Sequence, residues 1–316
     1  MVASRKTAAL KPGSLRPGDT LGIVAPASYF VREDFDAGCE ALRVLGYQLV
    51  FGDSIFDRDL YFAGSAERRA RELEAMFARP EVKAILCARG GYGANYLLPL
   101  LDIKTIAANP KAFVGYSDIT SLMTYLNDAA GLVTFHGPMI AKDFARHDGV
   151  DRGSWAAALG AADPNFNFAA DSAMQVLVPG SAEGILYGGC LSMLAASLGT
   201  PYEIHTENTV LFIEDVATKP YQIDRMLMQL KLADKFAGVR GIIFGEMLDC
   251  IQPGNSPCTL QEVIMRIVGD LGIPTVYGLR SGHVSRSNIT LPLGVSARLE
   301  AETSGVNLTI AESPTI

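Results

Sequence analysis

Histidine and tryptophan are scarce in this chain, charge is sparse, and no long apolar run exists. Four histidines, His136, His147, His205 and His283, leave few places for chemistry that needs an imidazole, and there is one tryptophan. Charged residues make up 19% of the sequence, the net charge is -7 and the pI is near 5.2. That balance argues against a nucleic-acid partner or an anionic membrane surface, both of which call for a basic face. No run of the roughly 18 apolar residues a spanning helix needs is present. The opening stretch MVASRKTAALKPGSLRPGDT carries basic residues but no apolar core before a small-residue cleavage site, so no secretory leader is expected. Five cysteines, Cys39, Cys87, Cys190, Cys250 and Cys258, are odd in number and lack CxxC spacing. They read as reduced thiols of a cytoplasmic protein, not as a disulfide framework or a zinc site. Neither GxGxxG nor a P-loop occurs, no internal repeat or low-complexity tract is found, and neither metal nor cofactor is expected. A soluble protein that handles a small molecule or peptide fits what is left.

With 316 residues, 49% of them hydrophobic, the chain exceeds what one core usually holds, so two domains are expected. The apolar run LGIVAPAS at 21–28, a helical stretch from Asp34 to Leu45 and a strand at 47–52 make a βαβ opening, which predicts a parallel sheet with helices on its faces. Ser65 is placed to cap a charged helix, and EVKAILC at 81–87 returns as a strand. Ala112 to Val114 forms the next strand. It runs through Gly115-Tyr116-Ser117-Asp118 into a segment with Ile119, Leu122, Met123 and Leu126 at helical spacing. LVTFHGPM at 132–139 ends the alternation. Residues 142–182 turn polar and irregular and contain Trp155, which reads as an inter-domain connection. The boundaries expected are 1–160, a linker at 161–182, and 183–316. Beyond the linker come strands at 209–216, 241–246 and 274–277 with helices between them. The closing runs NITLPLG, SARLEAE and VNLTI look antiparallel.

Ser117 stands at a strand-to-helix corner. A sharp turn there lifts a hydroxyl out of the sheet, and the helix behind it presents free N–H groups to a developing oxyanion. The alternative is that Ser117 or Asp118 simply caps the helix. Arg89-Gly90-Gly91-Tyr92-Gly93 follows a strand, and its glycines suit a phosphate cradle, half of an oxyanion hole, or a plain tight turn. His147 and His205 read as surface residues, whereas His283, flanked by Gly282, and His136, at a strand end, are placed to reach a cleft. Glu214 at the end of a buried strand is a natural orienter for a histidine, with Asp215 its adjacent competitor and helix capping the plain alternative for either.

GYSDI lacks the last glycine of the GxSxG elbow of α/β hydrolases, having Ile119 there. The whole pattern instead resembles the serine LD-carboxypeptidases, the muramoyl-tetrapeptide carboxypeptidases, whose fold the microcin immunity peptidases share. IVAPAS at 23–28, RGGYG at 89–93, VGYSDIT at 114–120, HGP at 136–138, GGCLS at 188–192, FIEDV at 212–216 with YQIDRML at 221–227, GH at 282–283 and LPLG at 291–294 carry the resemblance, in order along the chain. It implies an N-terminal flavodoxin- or Rossmann-like parallel-sheet domain, a C-terminal mixed β and α/β domain, and a homodimer. It also implies a triad of Ser117, Glu214 and His283, and an oxyanion hole from the N–H groups of Gly91 and Asp118. The implied activity is cytoplasmic and cofactor-free: release of the terminal D-alanine of murein tetrapeptide, cut between the L-centre of a diamino acid and the D-residue. Arg89 and Tyr92 are candidate substrate contacts, Arg89 because a guanidinium can grip a carboxylate through two hydrogen bonds. Cys190 stands where the family commonly has asparagine. An immunity-type peptidase acting on a peptidyl-nucleotide is the second reading, favoured were Trp155 to stack on a base, and a binding module without turnover is the third.

Overall fold

A computed structural model describes residues 9–160, 167–168, 174–251 and 258–316. In the first half, apolar runs bounded by turns form β1 (Thr20–Val24), β2 (Gln48–Val50), β3 (Val82–Cys87), β4 (Ala112–Gly115) and β5 (Thr134–His136). Between them lie α1 (Arg32–Val44), α2 (Ala66–Ala78), α3 (Ile103–Ala108) and α4 (Thr120–Ala130). Ser65 caps α2 as expected, its hydroxyl accepting from Arg68 N–H at 3.3 Å. Gly131 ends α4 in the left-handed region at φ 72°.

The rest of the chain contributes α5 (Arg152–Leu159), β6 (Asn167–Phe168), β7 (Gln175–Val178), β8 (Gly180–Cys190), α6 (Leu191–Ala196), β9 (Thr209–Glu214), α7 (Pro220–Leu232), β10 (Gly241–Gly245), α8 (Leu260–Val268), β11 (Thr275–Leu279), β12 (Leu291–Leu293), β13 (Ser296–Glu302) and β14 (Gly305–Ile310). Two sheets result. One is six-stranded in the order β12-β5-β4-β3-β1-β2, parallel except for β12; the other is eight-stranded in the order β6-β14-β13-β8-β9-β10-β11-β7, with a parallel centre from β8 to β11.

Strand β9 is buried at every position because both its faces are covered. Val210 and Phe212 face the core shared with the first sheet, while Leu211 and Ile213 face a second core under α7 and α8. Each such side chain contributes about 1.5–3 kcal/mol when sealed from water. The terminal hairpin β13–β14 alternates buried and open residues, as a one-sided antiparallel pair should.

Three of these readings gain detail. LPLG does form an antiparallel strand, but β12 pairs with β5 of the first sheet, Leu291 opposite His136, and not with the terminal hairpin. The polar segment from 142 contains α5, whose Trp155 is buried against Phe144 and donates to Tyr47 Oη at 3.3 Å. Of the linker expected at 161–182, residues 161–166 and 169–173 lie outside the described residues, and 175–182 already belongs to β7 and β8. Helix α4 carries the expected apolar stripe, yet Thr120, Thr124, Asn127 and Asp128 are buried too. For Thr120 and Asp128 the reason is β8: Cys190 N–H donates to Thr120 Oγ1 at 3.0 Å and Tyr187 Oη donates to Asp128 at 2.7 Å.

Asn127 stitches these parts together, its amide donating to the Leu132 carbonyl at 2.9 Å and the Leu293 carbonyl at 3.1 Å. Replacing it with alanine strands two buried carbonyls, so Asn127→Ala is expected to lower unfolding free energy by about 1–3 kcal/mol in urea titrations. A loss within about 0.5 kcal/mol, the range of ordinary surface changes, would show that β12 is held by other means.

Candidate active site

The corner after β4 is built tightly. Gly115 leaves no room for a side chain, since a Cβ there would sit 2.9 Å from Ile119 Cγ2. Tyr116 is extended, and Ser117 then takes φ 65°, a left-handed conformation that a serine adopts only when its surroundings impose it. A single 3₁₀ turn leads into α4. The expectation that Ser117 or Asp118 caps this helix is overturned: no side-chain cap forms. The Asp118 carboxylate turns away to accept from Ala94 N–H at 2.8 Å, a partner too distant in sequence for local pattern to reveal.

The RGGYG turn presses on the same corner. A Cβ on Gly90 would fall 2.9 Å from Ser117 Cβ, and one on Gly91, at φ 108°, would fall 2.4 Å from Ser28 Oγ. Ser28 holds the turn by donating its N–H to the Gly90 carbonyl at 3.2 Å and accepting from Tyr92 N–H at 3.0 Å. Ser28, Gly90 and Ser117, from three of the blocks that carry the resemblance, thus meet at one point. Arg89 and Tyr92 stand exposed at the rim, Arg89 donating to the Tyr29 carbonyl at 3.1 Å and Tyr92 edge-on to Tyr61.

Glu214 closes β9 opposite Cys190 of β8 and is fully buried. Its Oε2 accepts from His283 N–H at 3.1 Å and lies 2.7 Å from His283 Nδ1. An ionised carboxylate can only accept, so Nδ1 carries the proton and Nε2 is left to act as a base. Gly282 makes this approach possible. At φ 94°, a Cβ there would lie 2.7 Å from both Glu214 Cδ and His136 Cε1. Burial raises the Glu214 pKa, but the charge and hydrogen bonds of His283, with His136 behind, outweigh it and hold the carboxyl well below its ordinary range.

The competitor Asp215 is spoken for by local structure. It accepts from Ser192 N–H at 2.9 Å at the start of α6, and from Val216 N–H and Thr218 Oγ1, both at 2.8 Å. His147 is exposed, and His205 pairs with Asp128 at 3.2 Å, four residues before β9 begins and not at its Glu214 end.

Tyr116 links the two halves of the site. It precedes Ser117 in sequence, and its buried ring packs edge-on against His283, with centroids 5.0 Å apart. Its hydroxyl faces Asp143 Oδ1 at 3.4 Å. The sequence reading did not single out Tyr116, Asp143, Ser281 or Asn288. Ser281-Gly282-His283 carried the available signal, a polar residue beside the glycine of a functional loop. Asn288 Oδ1 accepts from Gly282 N–H at 2.9 Å and so fixes that loop. Among the described residues, no group of three or more His, Cys, Asp or Glu side chains is arranged to hold a metal, and no helix is long and apolar enough to cross a membrane.

The Glu214–His283 pair at the carboxyl end of β9, packed on the residue that precedes a serine in a forced turn, sits on the α/β scaffold of a hydrolase. The chain belongs to the LD-carboxypeptidase family: residues 21–137 match its N-terminal domain and residues 183–299 its C-terminal domain. It is 39% identical to a probable murein peptide carboxypeptidase of Bacillus subtilis (strain 168) over 92% of this chain and 91% of that protein. It is 30% identical to the microcin C7 self-immunity protein MccF of Escherichia coli over 93% of this chain and 94% of that protein. The solved muramoyltetrapeptide carboxypeptidase from Oxalobacter formigenes superposes with a TM-score of 0.83 at 30% identity, covering 94% of this chain and 100% of that one.

Two predictions follow from the geometry. Gly282→Ala, which forces a Cβ into Glu214 and His136, is expected to cost about 2–4 kcal/mol of unfolding free energy in denaturant titration; an unchanged midpoint would mean the loop can be rebuilt around the carboxylate. The second concerns Asp118, whose pKa burial raises from 3.8 to about 6 against the pull of Ala94 N–H and Arg69. Between those values the folded state holds more protons than the unfolded state, so stability falls as pH rises through that window. An asparagine keeps the acceptor but cannot ionise. The melting temperature of wild type relative to Asp118→Asn should therefore drop between about pH 4 and pH 6 and level off above, and a flat difference would contradict the assignment.

Proposed function

We propose that this protein is a serine LD-carboxypeptidase that releases the terminal D-alanine of murein tetrapeptide in the cytoplasm, working without a cofactor and as a homodimer. Ser117 is the nucleophile, His283 the general base and then acid, and Glu214 the group that orients the imidazole. The domain boundaries in this reading are 1–160 and 183–316, with the nucleophile on the first and the Glu–His pair on the second. The observation that carries the proposal is the 2.7 Å contact between Glu214 Oε2 and His283 Nδ1, which leaves Nε2 as the basic atom of a histidine packed on the residue next to Ser117.

In the reaction, His283 Nε2 takes the Ser117 hydroxyl proton as Oγ attacks the scissile carbonyl. The N–H groups of Gly91 and Asp118 stabilise the oxyanion of the tetrahedral intermediate. His283 then gives its proton to the departing amine of D-alanine, and water activated by the same imidazole hydrolyses the acyl-enzyme. Arg89 and Tyr92 at the rim contact the peptide, with Arg89 a candidate for the terminal carboxylate. The match to murein peptide carboxypeptidases over most of the chain supports this substrate class.

The kinship with MccF keeps an immunity-type peptidase as the alternative. Its cue, an aromatic side chain from 142–182 stacking on a nucleobase, is not met by Trp155, which is buried against Phe144.

Incubation with murein tetrapeptide and measurement of free D-alanine tests the reading. Wild type should release D-alanine, and Ser117→Ala should lose about 10³-fold or more in kcat with its fold intact. No release by wild type would refute it; tight binding without release would indicate a non-catalytic module, and cleavage of a peptidyl-nucleotide in place of the tetrapeptide would indicate the immunity-type enzyme.

A further inference from the structure

Glu214 lies between two histidines, and the proposed triad uses only one. His136 ends β5, is completely buried, and packs edge-on against Phe212 with centroids 5.0 Å apart. Its Nδ1 lies 2.8 Å from Ser281 Oγ, and that hydroxyl also lies 2.9 Å from the Ile289 carbonyl and 3.3 Å from the His136 carbonyl. The single hydroxyl proton can therefore go to the ring or to a carbonyl. Across the ring, Nε2 faces Glu214 Oε1 at 3.8 Å, and both atoms are buried without a hydrogen-bond partner. Leaving two polar atoms unpaired in a sealed interior is unfavourable for both. An approach of about 1 Å turns them into a hydrogen bond, provided Nε2 carries the proton. With the proton on Nδ1, two lone pairs would face each other beside a carboxylate.

We propose that His136 is a positioning residue for the Glu214–His283 pair: Ser281 Oγ–H donates to His136 Nδ1, fixing the tautomer in which Nε2–H donates to Glu214 Oε1. Glu214 is then held from both sides, Oε2 by His283 and Oε1 by His136, so the carboxylate cannot rotate away from the catalytic imidazole. The shared donor also lessens the negative charge that Glu214 presents to His283. The other titratable groups that feel this carboxylate are Cys190 from β8, Tyr116 from the corner after β4 with Asp143 behind it, and Cys250 beyond β10, while Asp215, next along the chain, is turned to α6. This inference rests on the peptidase reading only in taking His283 as the base.

The test begins with long-range 1H–15N correlation spectra of the substrate-free enzyme, the His136 signals being assigned by their loss in His136→Gln. A pyrrole-type Nε2 and a pyridine-type Nδ1 are expected for His136; the opposite tautomer overturns the proposal. The His283 ring is then titrated in wild type, His136→Leu and His136→Gln. In the leucine variant the apparent pKa of the Glu214–His283 pair should rise by about half a pH unit or more, because the carboxylate loses a donor. The acid limb of kcat/KM should follow it, with kcat lower by about tenfold and KM within about twofold. Glutamine, whose amide can donate to Oε1 and accept from Ser281, should bring both back toward wild type. An unmoved pKa in folded His136→Leu, or glutamine no better than leucine, overturns the proposal. If the leucine variant does not fold, the tautomer in wild type decides. Both spectroscopic readouts need no substrate, so failure to release D-alanine would count against the peptidase reading and leave the result on His136 standing.

Discussion

A single carboxylate kept ionised in a sealed interior is the constraint on which the site depends. Burying Glu214 at the end of β9 is unfavourable for its charge, and two donations from His283 to Oε2 offset it. The neighbouring backbone is shaped to allow those contacts. Gly245 and Gly282 stand where a Cβ would lie 2.7 Å from Glu214 atoms, one on the adjoining strand and one in the histidine loop. Asp215, one residue on, is consumed by α6 and the turn before α7, which leaves Glu214 as the carboxylate available to the imidazole.

Setting His283 against Tyr116, the neighbour of Ser117, requires the two halves of the chain to be locked together. Strand β12 provides the lock by leaving the second sheet's neighbourhood and pairing with β5, which sets Leu291 opposite His136. The preceding loop is braced from the other half: Asp151 N–H donates to the Asn288 carbonyl at 3.0 Å, and Thr290 N–H donates to Ser154 Oγ at 3.1 Å. Asn288 in turn holds Gly282. The segment that composition marks as a connection therefore supports the loop that carries the histidine, and α5 with its buried Trp155 is part of that support.

What the sequence made legible was local. The run Ala112 to Val114 followed by helical spacing from Ile119 located the corner at Ser117, and the apolar run 210–213 ending in Glu214 located the buried carboxylate, because both signals lie within one or two elements. Pairings between distant segments were not legible. Asp118 looked like a helix cap because the residue type fits, but its partner Ala94 belongs to another loop. LPLG read correctly as a strand, yet nothing in three alternating residues says which sheet will receive it. Trp155 sits in an alanine-rich helix with a weak apolar stripe, so its burial emerges only from packing against Phe144. His136 was visible as a strand end facing a cleft, while its contact with Ser281 depends on β12 arriving beside β5.

Ser117 Oγ is proposed as the atom that forms the bond to substrate. Rapid acid quench of the enzyme during turnover of murein tetrapeptide, followed by proteolysis and mass spectrometry, tests it directly. A peptide containing Ser117 is expected to carry the mass of the acyl group left after loss of D-alanine, with no such adduct in Ser117→Ala. Continued turnover with Ser117 unmodified, and an adduct on another residue, would contradict it.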